Sequence, residues 1–450
     1  MRGNGVERVE RVDVPALATA VVLVVMLGMI SSIPLYGSLP LISLGTQLTS
    51  TLQELLGNLK DLPDSELTKT AKDIKELLTG GGEPETNELY GRVPKITTEQ
   101  CKKDTCCVWK HMSDEMERLF RGRSGRCTKW ARFAVRLGFH DSGAWQKDMS
   151  FGGADGSVAI FDEELKAPEN KGLSEMIMKV RELYAKYHDQ YGFEDVTHAD
   201  IIQVAASVAV VVCPLGPRMR TFVGRPDGDQ ANPTHLLPSP FDTADNLINI
   251  FENKTIAPHG LTALIGAHTT SQQMNTSPPE QKGFPQDSTP GVWDVLFYKQ
   301  TLRKQVPRKI FRFPSDERIA VHPKTRDEFR EFAGKDGQEH WNEDYAREYV
   351  RLSLLGVQDM NKMTECSKVL PKAVKSFRAK DQGVFDKWLN SPYDAKKDKE
   401  ICSAVAEGDD VPAKESDIKT DAKQPITIET IENTSDSELA KSEGEFVKPT

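Results

Sequence analysis

An arginine stands four residues before a histidine in "RLGFHDSGAW", residues 136–145, and an aspartate follows the histidine. Four residues make about one helical turn, so on a helix Arg136 and His140 share a face. An imidazole can take a proton and hand it back, and a fixed guanidinium can stabilise negative charge on a departing oxygen. That pairing would suit the cleavage of an O–O bond. Alone, the stretch fits an exposed arginine beside a packed histidine better. Two more stretches change the weighting. "GLTALIGAHTTSQQ", residues 260–273, ends an apolar helix face at His268, and "FRFPSDERIA", residues 311–320, sets Asp316 among apolar residues. A lone histidine on an apolar helix is ordinarily a core histidine. A histidine whose second N–H is held by a carboxylate is the form that ligates haem iron, and Asp316 could hold His268 so. His140 and Arg136 would then face the other side of the haem, in a dry pocket walled by Phe139, with hydrogen peroxide as the molecule to be cleaved.

Helices must position these groups. From Cys101 to about Cys402 the chain reads as mostly helical: "SEMIMKVRELYAKYHDQYG", "HADIIQVAASVAVVV" and "NEDYAREYVRLSLLG" have helical spacing or buried-helix composition. Gly356 suits the stop of the third. Strand alternation is scarce. Before this body, "TQLTSTLQELLGNLKDL" can form an amphipathic helix that "TGGGEPETNE" breaks, and residues 36–100 read as a pro-segment or stalk. Residues 403–450 are rich in Ser, Thr, Asp, Glu and Lys and poor in aromatics, which predicts a disordered acidic tail.

The 450 residues are 38% hydrophobic and 28% charged, enough for a real core. Of the net charge of -9, the tail supplies most, with 12 acidic and 5 basic residues. The remainder is close to neutral, which argues against nucleic acid as a partner. "VPALATAVVLVVMLGMI", residues 14–30, follows Arg2, Arg8 and Arg11. Residues 1–35 therefore read as a secretory signal or an uncleaved membrane anchor, and both readings stay open. Seven cysteines behind an export signal suggest disulfides, the odd count leaving at least one unpaired. Asn253, Asn275 and Asn433 each begin a glycosylation sequon.

Taken together, "VRLGFHDSGAW", "FGGADGSVAIF", "ADIIQVAASVAVVVCPLGPRMRTFVGRPD", "LIGAHTT", "DSTPGVWD" and "MTECSKVLP" resemble the fungal secreted haem peroxidases, class II of the plant-type peroxidase superfamily. Order and spacing match from about Cys101 to Pro371. The resemblance implies a mostly α, two-lobed fold over residues 101–402 with one haem b between the lobes. It makes Arg136, Phe139 and His140 the distal residues, His268 the proximal ligand and Asp316 its partner. "EELKAPENKG" would supply Asn170 to accept the His140 N–H, with Glu164 holding Asn170. From the residues alone, Asn170 reads equally as a helix cap. Two calcium ions are implied. The first would take Asp141, the Gly153 carbonyl, Asp155 and Ser157, and the second Thr269, Asp287, Thr289, the Val292 carbonyl and Asp294. These are hard oxygen donors of the type calcium uses, although Asp-, Gly- and Ser-rich turns commonly bind nothing. The implied disulfides are Cys101–Cys107, Cys106–Cys366 and Cys127–Cys213. Cys402 is left over, because the family's fourth bridge lacks a partner in "KTRDEFREF". Ser142 stands where the plant branch usually has cysteine.

The departures narrow the expected activity. The positions of the acidic residues in manganese-oxidising members hold Thr128, Arg132 and Ser271, and that of the lignin-oxidising surface tryptophan holds Ala263. Trp130 or Trp145 could substitute, but a packing role suits them better. The reading is a low-potential generic peroxidase: an extracellular monomer that reduces hydrogen peroxide and oxidises small phenols or dyes at the haem edge. Two alternatives are a peroxidase fed by a protein or ascorbate, and a non-catalytic surface protein on the same scaffold. The cysteines and calcium sets weigh against the first, and the filled catalytic positions against the second.

Overall fold

Helix His198–Val212 is buried on nearly every side, as its sequence requires, since apolar residues run all around it. Thr197 starts it by accepting the Asp200 N–H. Against it lies Lys129–Ser142, the helix that carries Arg136 and His140, begun by Thr128, which accepts the Trp130 N–H. The crossing is close because residue 138 is glycine: a methyl there would run into the Tyr349 hydroxyl and Ala206 Cβ. Cys127–Cys213 ties the start of one helix to the end of the other and closes 86 residues. A cross-link of that span restricts the unfolded chain by about 4–5 kcal/mol. Thr105–Phe120 and Ser174–Tyr184 complete this lobe.

The second lobe gathers Pro258–Ile265, Leu296–Leu302, Arg326–Ala333 and Gly337–Leu352 around a stack of Trp293, Trp341 and Tyr345. This computed structural model describes residues 54–276, 278–413 and 426–427. Among them the chain is mostly helical, with two short antiparallel pairs, Phe222–Val223 with Thr364–Glu365 and Ser376–Phe377 with Ile426–Thr427. The expected signal or anchor, residues 1–35, lies outside the described residues. No described helix is long and apolar enough to cross a membrane.

Two expected boundaries move. Residues 54–100 do not form a stalk. Helix Lys69–Leu78 buries Ala71, Ile74, Leu77 and Leu78 in the main core, joined by Leu56, Leu59 and Leu67. Arg351 donates to the Glu54 and Leu78 carbonyls at 2.9 and 2.7 Å, and Arg218 to those of Thr86 and Glu88 at 2.6 and 2.7 Å. The amphipathic helix expected over residues 46–62 is, where described, only a short turn at Gly57–Lys60. The body also continues past 402. Gln382–Asn390 and Ala395–Ala406 build a smaller second core with Phe284 and Ile310, in which Val405 and Val411 are buried. A buried bidentate pair, Arg126 to Asp381 at 2.9 and 2.7 Å, fastens it to the first lobe. The rest of the acidic tail lies outside the described residues except 426–427.

Candidate active site

On the Lys129–Ser142 helix, Phe133, Arg136, Phe139 and His140 form a half-buried stripe, while Ala131, Ala134, Leu137 and Asp141 face the core. Arg136 Nε donates to His140 Nε2 at 3.2 Å. The other guanidinium nitrogens donate to the Lys171 and Glu169 carbonyls, both at 2.9 Å, which fixes the cation's plane. Burial lowers the Arg136 pKa to about 10, so it stays charged. Burial first, and then the Arg136 charge, push His140 down to about 3 against the opposing bond from Asn170. The imidazole is therefore neutral and able to accept a proton.

Asn170 sets the tautomer. Its Nδ2 donates to the Glu164 backbone carbonyl at 2.9 Å, so its Oδ1 faces His140 Nδ1 at 2.8 Å and takes that N–H. His140 Nε2 is left as the acceptor. The helix-cap alternative does not hold: Asn170 closes the turn Pro168–Asn170, and the Ser174–Tyr184 helix has no side-chain cap. The role expected of Glu164 divides. Its backbone oxygen holds Asn170, and its side chain accepts the Asn232 N–H at 2.7 Å. Burial raises the Glu164 pKa to about 7. Phe139 stands edge-on to His140 and stacks on Phe251.

His268 lies in the turn Gly266–Thr270 that extends the Pro258–Ile265 helix. Its Nδ1 is 3.0 Å from Asp316 Oδ2, and the carboxylate is fully buried in the first turn of Pro314–Val321, where the helix dipole favours an anion. Gln286 Nε2 and Ser315 Oγ also donate to Asp316, at 3.4 and 3.3 Å. Phe297 and Phe313 meet the His268 ring edge-on. The ring is 36% exposed though its partner is buried, which leaves Nε2 free to hold a ligand.

Both acidic sets leave buried oxygens without donors. Asp141 is wholly buried, and neither of its carboxylate oxygens has a well-aligned hydrogen-bond donor; Ser157 Oγ and Asn232 Oδ1 likewise lack a well-aligned partner. Burial, then Asp155 and Glu164, raise Asp141 far above the usual carboxylate range. Asp155 Oδ1 accepts from the Ser157 N–H at 3.1 Å, and Gly153 adopts φ +98° where a side chain would strike the Leu355 carbonyl. In the second set Asp287 accepts from Thr269 Oγ1 at 2.5 Å and from the Thr289 N–H at 2.9 Å. Thr269 Oγ1 lies 3.4 Å from the Val292 carbonyl. Asp294 accepts the Leu296 N–H at 2.9 Å, its other oxygen orphaned. Burial raises Asp294 to about 6, and burial with the neighbouring Asp294 raises Asp287 further. Crowded buried carboxylates, with an Asp141 pair of oxygens and one Asp294 oxygen left without well-aligned donors, fit a bound divalent cation.

The bridges are Cys101–Cys107, Cys106–Cys366 and Cys127–Cys213, with Cys402 free and buried. Thr128 caps its helix, Arg132 is buried and donates to the Val405 carbonyl at 2.9 Å, and Ala263 is buried, its carbonyl accepting the Trp341 Nε1–H at 2.9 Å. Trp145 is buried and Trp130 half-buried against Phe133. Asn232 and Gln286 went unread in the sequence. The turn "QANPTH" and the lone glutamine before Asp287 carry no signal of what they touch.

The sequence profile of the Peroxidase family matches residues 112–335. "Ligninase B" of Phanerodontia chrysosporium is 33% identical over 294 residues, covering 60% of this chain and 75% of the relative. "Ligninase C" of Trametes versicolor is 33% identical over 295 residues, 59% and 75% of the two chains. "Peroxidase" of Arthromyces ramosus is 28% identical over 293 residues, 60% and 77%. With that coverage, the chain belongs to the peroxidase family, among the fungal plant-type haem peroxidases.

Proposed function

We propose that this chain is an extracellular haem peroxidase that reduces hydrogen peroxide at the expense of small phenolic or dye-like donors. One observation carries the reading: two histidines, from different lobes, each commit Nδ1 to a side-chain oxygen, Asn170 for His140 and Asp316 for His268, and keep Nε2 for chemistry. His268 Nε2 would hold the iron of haem b, with Asp316 strengthening the imidazole as a donor. When bound, haem b supplies the redox chemistry that passes electrons from donor to peroxide.

The chain's own groups manage the proton and the charge. His140 Nε2 takes a proton from one peroxide oxygen and returns it to the other as the O–O bond breaks, so that oxygen leaves as water. Arg136, held by two carbonyls and close to Nε2, stabilises negative charge on the leaving oxygen. Two donor molecules would each give up one electron and one proton, which together balance release of the second oxygen as water. Calcium would bind Asp141, Asp155, Ser157 and the Gly153 carbonyl, with Asn232 added, and at the second site Thr269, Asp287, Thr289, Asp294 and the Val292 carbonyl. Each site then anchors the residue next to a histidine.

Buried Arg132 and the capping role of Thr128 disfavour manganese as the donor, and buried Ala263 disfavours long-range transfer from that position. Three disulfides and the sequons support an extracellular location; a monomer and the retained or cleaved N-terminus go with this reading. Neither a protein- or ascorbate-fed peroxidase nor a non-catalytic scaffold gains an observation in its favour. A donor screen with purified haem-loaded protein, with and without Mn(II), tests the proposal. Turnover of phenols that is indifferent to Mn(II) is expected; a missing Soret band, or turnover only with Mn(II), overturns it.

A further inference from the structure

Four chelating side chains from three helices converge in the His268 lobe, away from the residues described above. His259 is the second residue of Pro258–Ile265, Glu328 lies on Arg326–Ala333, and His340 and Asp344 stand one turn apart on Gly337–Leu352. His259 Nδ1 is 3.3 Å from Glu328 Oε2, and its Nε2 is 3.5 Å from Asp344 Oδ2. His340 Nε2 is 2.9 Å from Asp344 Oδ2 and 3.5 Å from Glu328 Oε1. One ligand atom from each of His259, Glu328 and Asp344 lies within 4.8 Å of the other two. We propose that His259, Glu328, Asp344 and His340 bind a divalent transition-metal ion of the zinc class.

The direction of the contacts separates this cluster from an ordinary set of ion pairs. His198 to Asp227, His322 to Asp245 and His268 to Asp316 each form a hydrogen bond through a ring nitrogen. Here Glu328 Oε1 and Asp344 Oδ2 are buried and lack a well-aligned hydrogen bond, although His340 Nε2 lies 3.5 and 2.9 Å away. Four ligands at ~2.0–2.1 Å from a tetrahedral zinc ion are about 3.3 Å apart; with one atom from each residue, His259 Nε2 and His340 Nε2 lie 3.5 and 2.9 Å from Asp344 Oδ2, and His340 Nε2 lies 3.5 Å from Glu328 Oε1.

The donor types set the class of ion. Imidazole nitrogen suits zinc and its neighbours, whereas calcium takes six to eight oxygens. His340 and Asp344, at i and i+4, present a pair spaced by the helix itself. One divalent cation balances two carboxylates. Both imidazoles are partly exposed while both carboxylates are mostly buried, so an ion can enter from the histidine side. Once bound it would tie the first turn of the helix leading to His268 to the two helices behind it.

Calorimetric titration of the full purified chain with Zn²⁺ tests this. The protein is first stripped by chelation and then held in saturating calcium, so that the two acidic pockets near the histidines are filled. One saturable equivalent of zinc and a raised melting temperature are expected. His259→Gln and, separately, Asp344→Asn should weaken binding at least tenfold with an unchanged far-ultraviolet circular dichroism spectrum. Should either variant fail to fold, His340→Gln, on the exposed side, gives the same comparison. No saturable binding to the folded protein would leave a closed quartet of ion pairs and overturn the site. Binding that is undiminished in the variants would place zinc elsewhere and overturn it equally.

Discussion

Replacing Asn170 with leucine should slow the reaction with peroxide about 10- to 100-fold while leaving haem binding intact. Asn170 uses both ends of its amide. Nδ2 donates to the Glu164 carbonyl at 2.9 Å, and Oδ1 accepts from His140 Nδ1 at 2.8 Å. Leucine removes the acceptor, and a buried N–H without one costs about 1–3 kcal/mol. The imidazole can escape that cost by moving its proton to Nε2, but then the base is gone and two N–H groups, from His140 and Arg136, face each other across 3.2 Å. Either outcome removes about 1.4–2.7 kcal/mol from the transition state, which is one to two powers of ten. The assay is stopped-flow absorbance at the Soret band, reading the first oxidised intermediate against peroxide concentration. Asn170→Asp gives an instructive contrast. It restores an acceptor for Nδ1 but sets a carboxylate oxygen against the Glu164 carbonyl, so it should recover part of the rate and lose stability. A second-order rate constant unchanged in Asn170→Leu would mean that something other than Asn170 holds the tautomer, and the reasoning fails.

Three further outcomes follow from the same geometry. Asp316→Asn should keep haem but weaken His268 as a donor, raising the Fe(III)/Fe(II) potential in a spectroelectrochemical titration; an unchanged potential would point to another partner for the ring. Exhaustive calcium chelation should lower activity and give a low-spin, six-coordinate spectrum, reversed by added calcium, because the crowded buried carboxylates next to His140 and Thr269 disfavour one another once bare. The Arg126–Asp381 clamp should release in acid. Burial alone would raise Asp381, but the Arg126 hydrogen bonds and charge, with the Val411 N–H, outweigh it and hold the carboxyl below its usual value. A depressed folded pKa gives stability that is present above about pH 4, the unfolded value, and lost as pH falls further. Trp388 fluorescence should report that release, and Arg126→Leu, which strands a buried carboxylate at a cost of about 3–5 kcal/mol, should loosen the same region at neutral pH.

What the sequence disclosed depended on how far apart the cooperating residues lie. Arg136 and His140 share one helix, so their spacing alone put them on one face. The uniform apolar run of residues 198–212 announced a central helix, and the observed helix has those ends. Lys69–Leu78 has an amphipathic period too, yet nothing in it names the surface it covers, and the segment around it read as a stalk. The second core was illegible for the same reason. Trp388 and Val405 pack on Phe284 and Ile310, about a hundred residues away, and a short acidic-looking stretch hid two buried valines. Asn232 reached Glu164 and Asp155 from a turn whose residues look like any turn. The family resemblance points to Glu164, but which of its oxygens holds Asn170 depends on backbone geometry that no residue type encodes.

The long-range clamp also imposes an order on synthesis. Arg126 waits 255 residues for Asp381, and Cys106 waits 260 for Cys366. At ~5–20 residues per second on the ribosome, each interval lasts roughly 10–50 s. Through that time a cation destined for the interior has no counter-ion, and the Arg136 helix, which begins three residues after it, cannot be sealed from the C-terminal side. Cys101 and Cys107, by contrast, emerge together and can pair at once. Early Cys106 is then left beside a completed bridge with its proper partner still unmade, and that thiol is open to the wrong exchange until Cys366 appears.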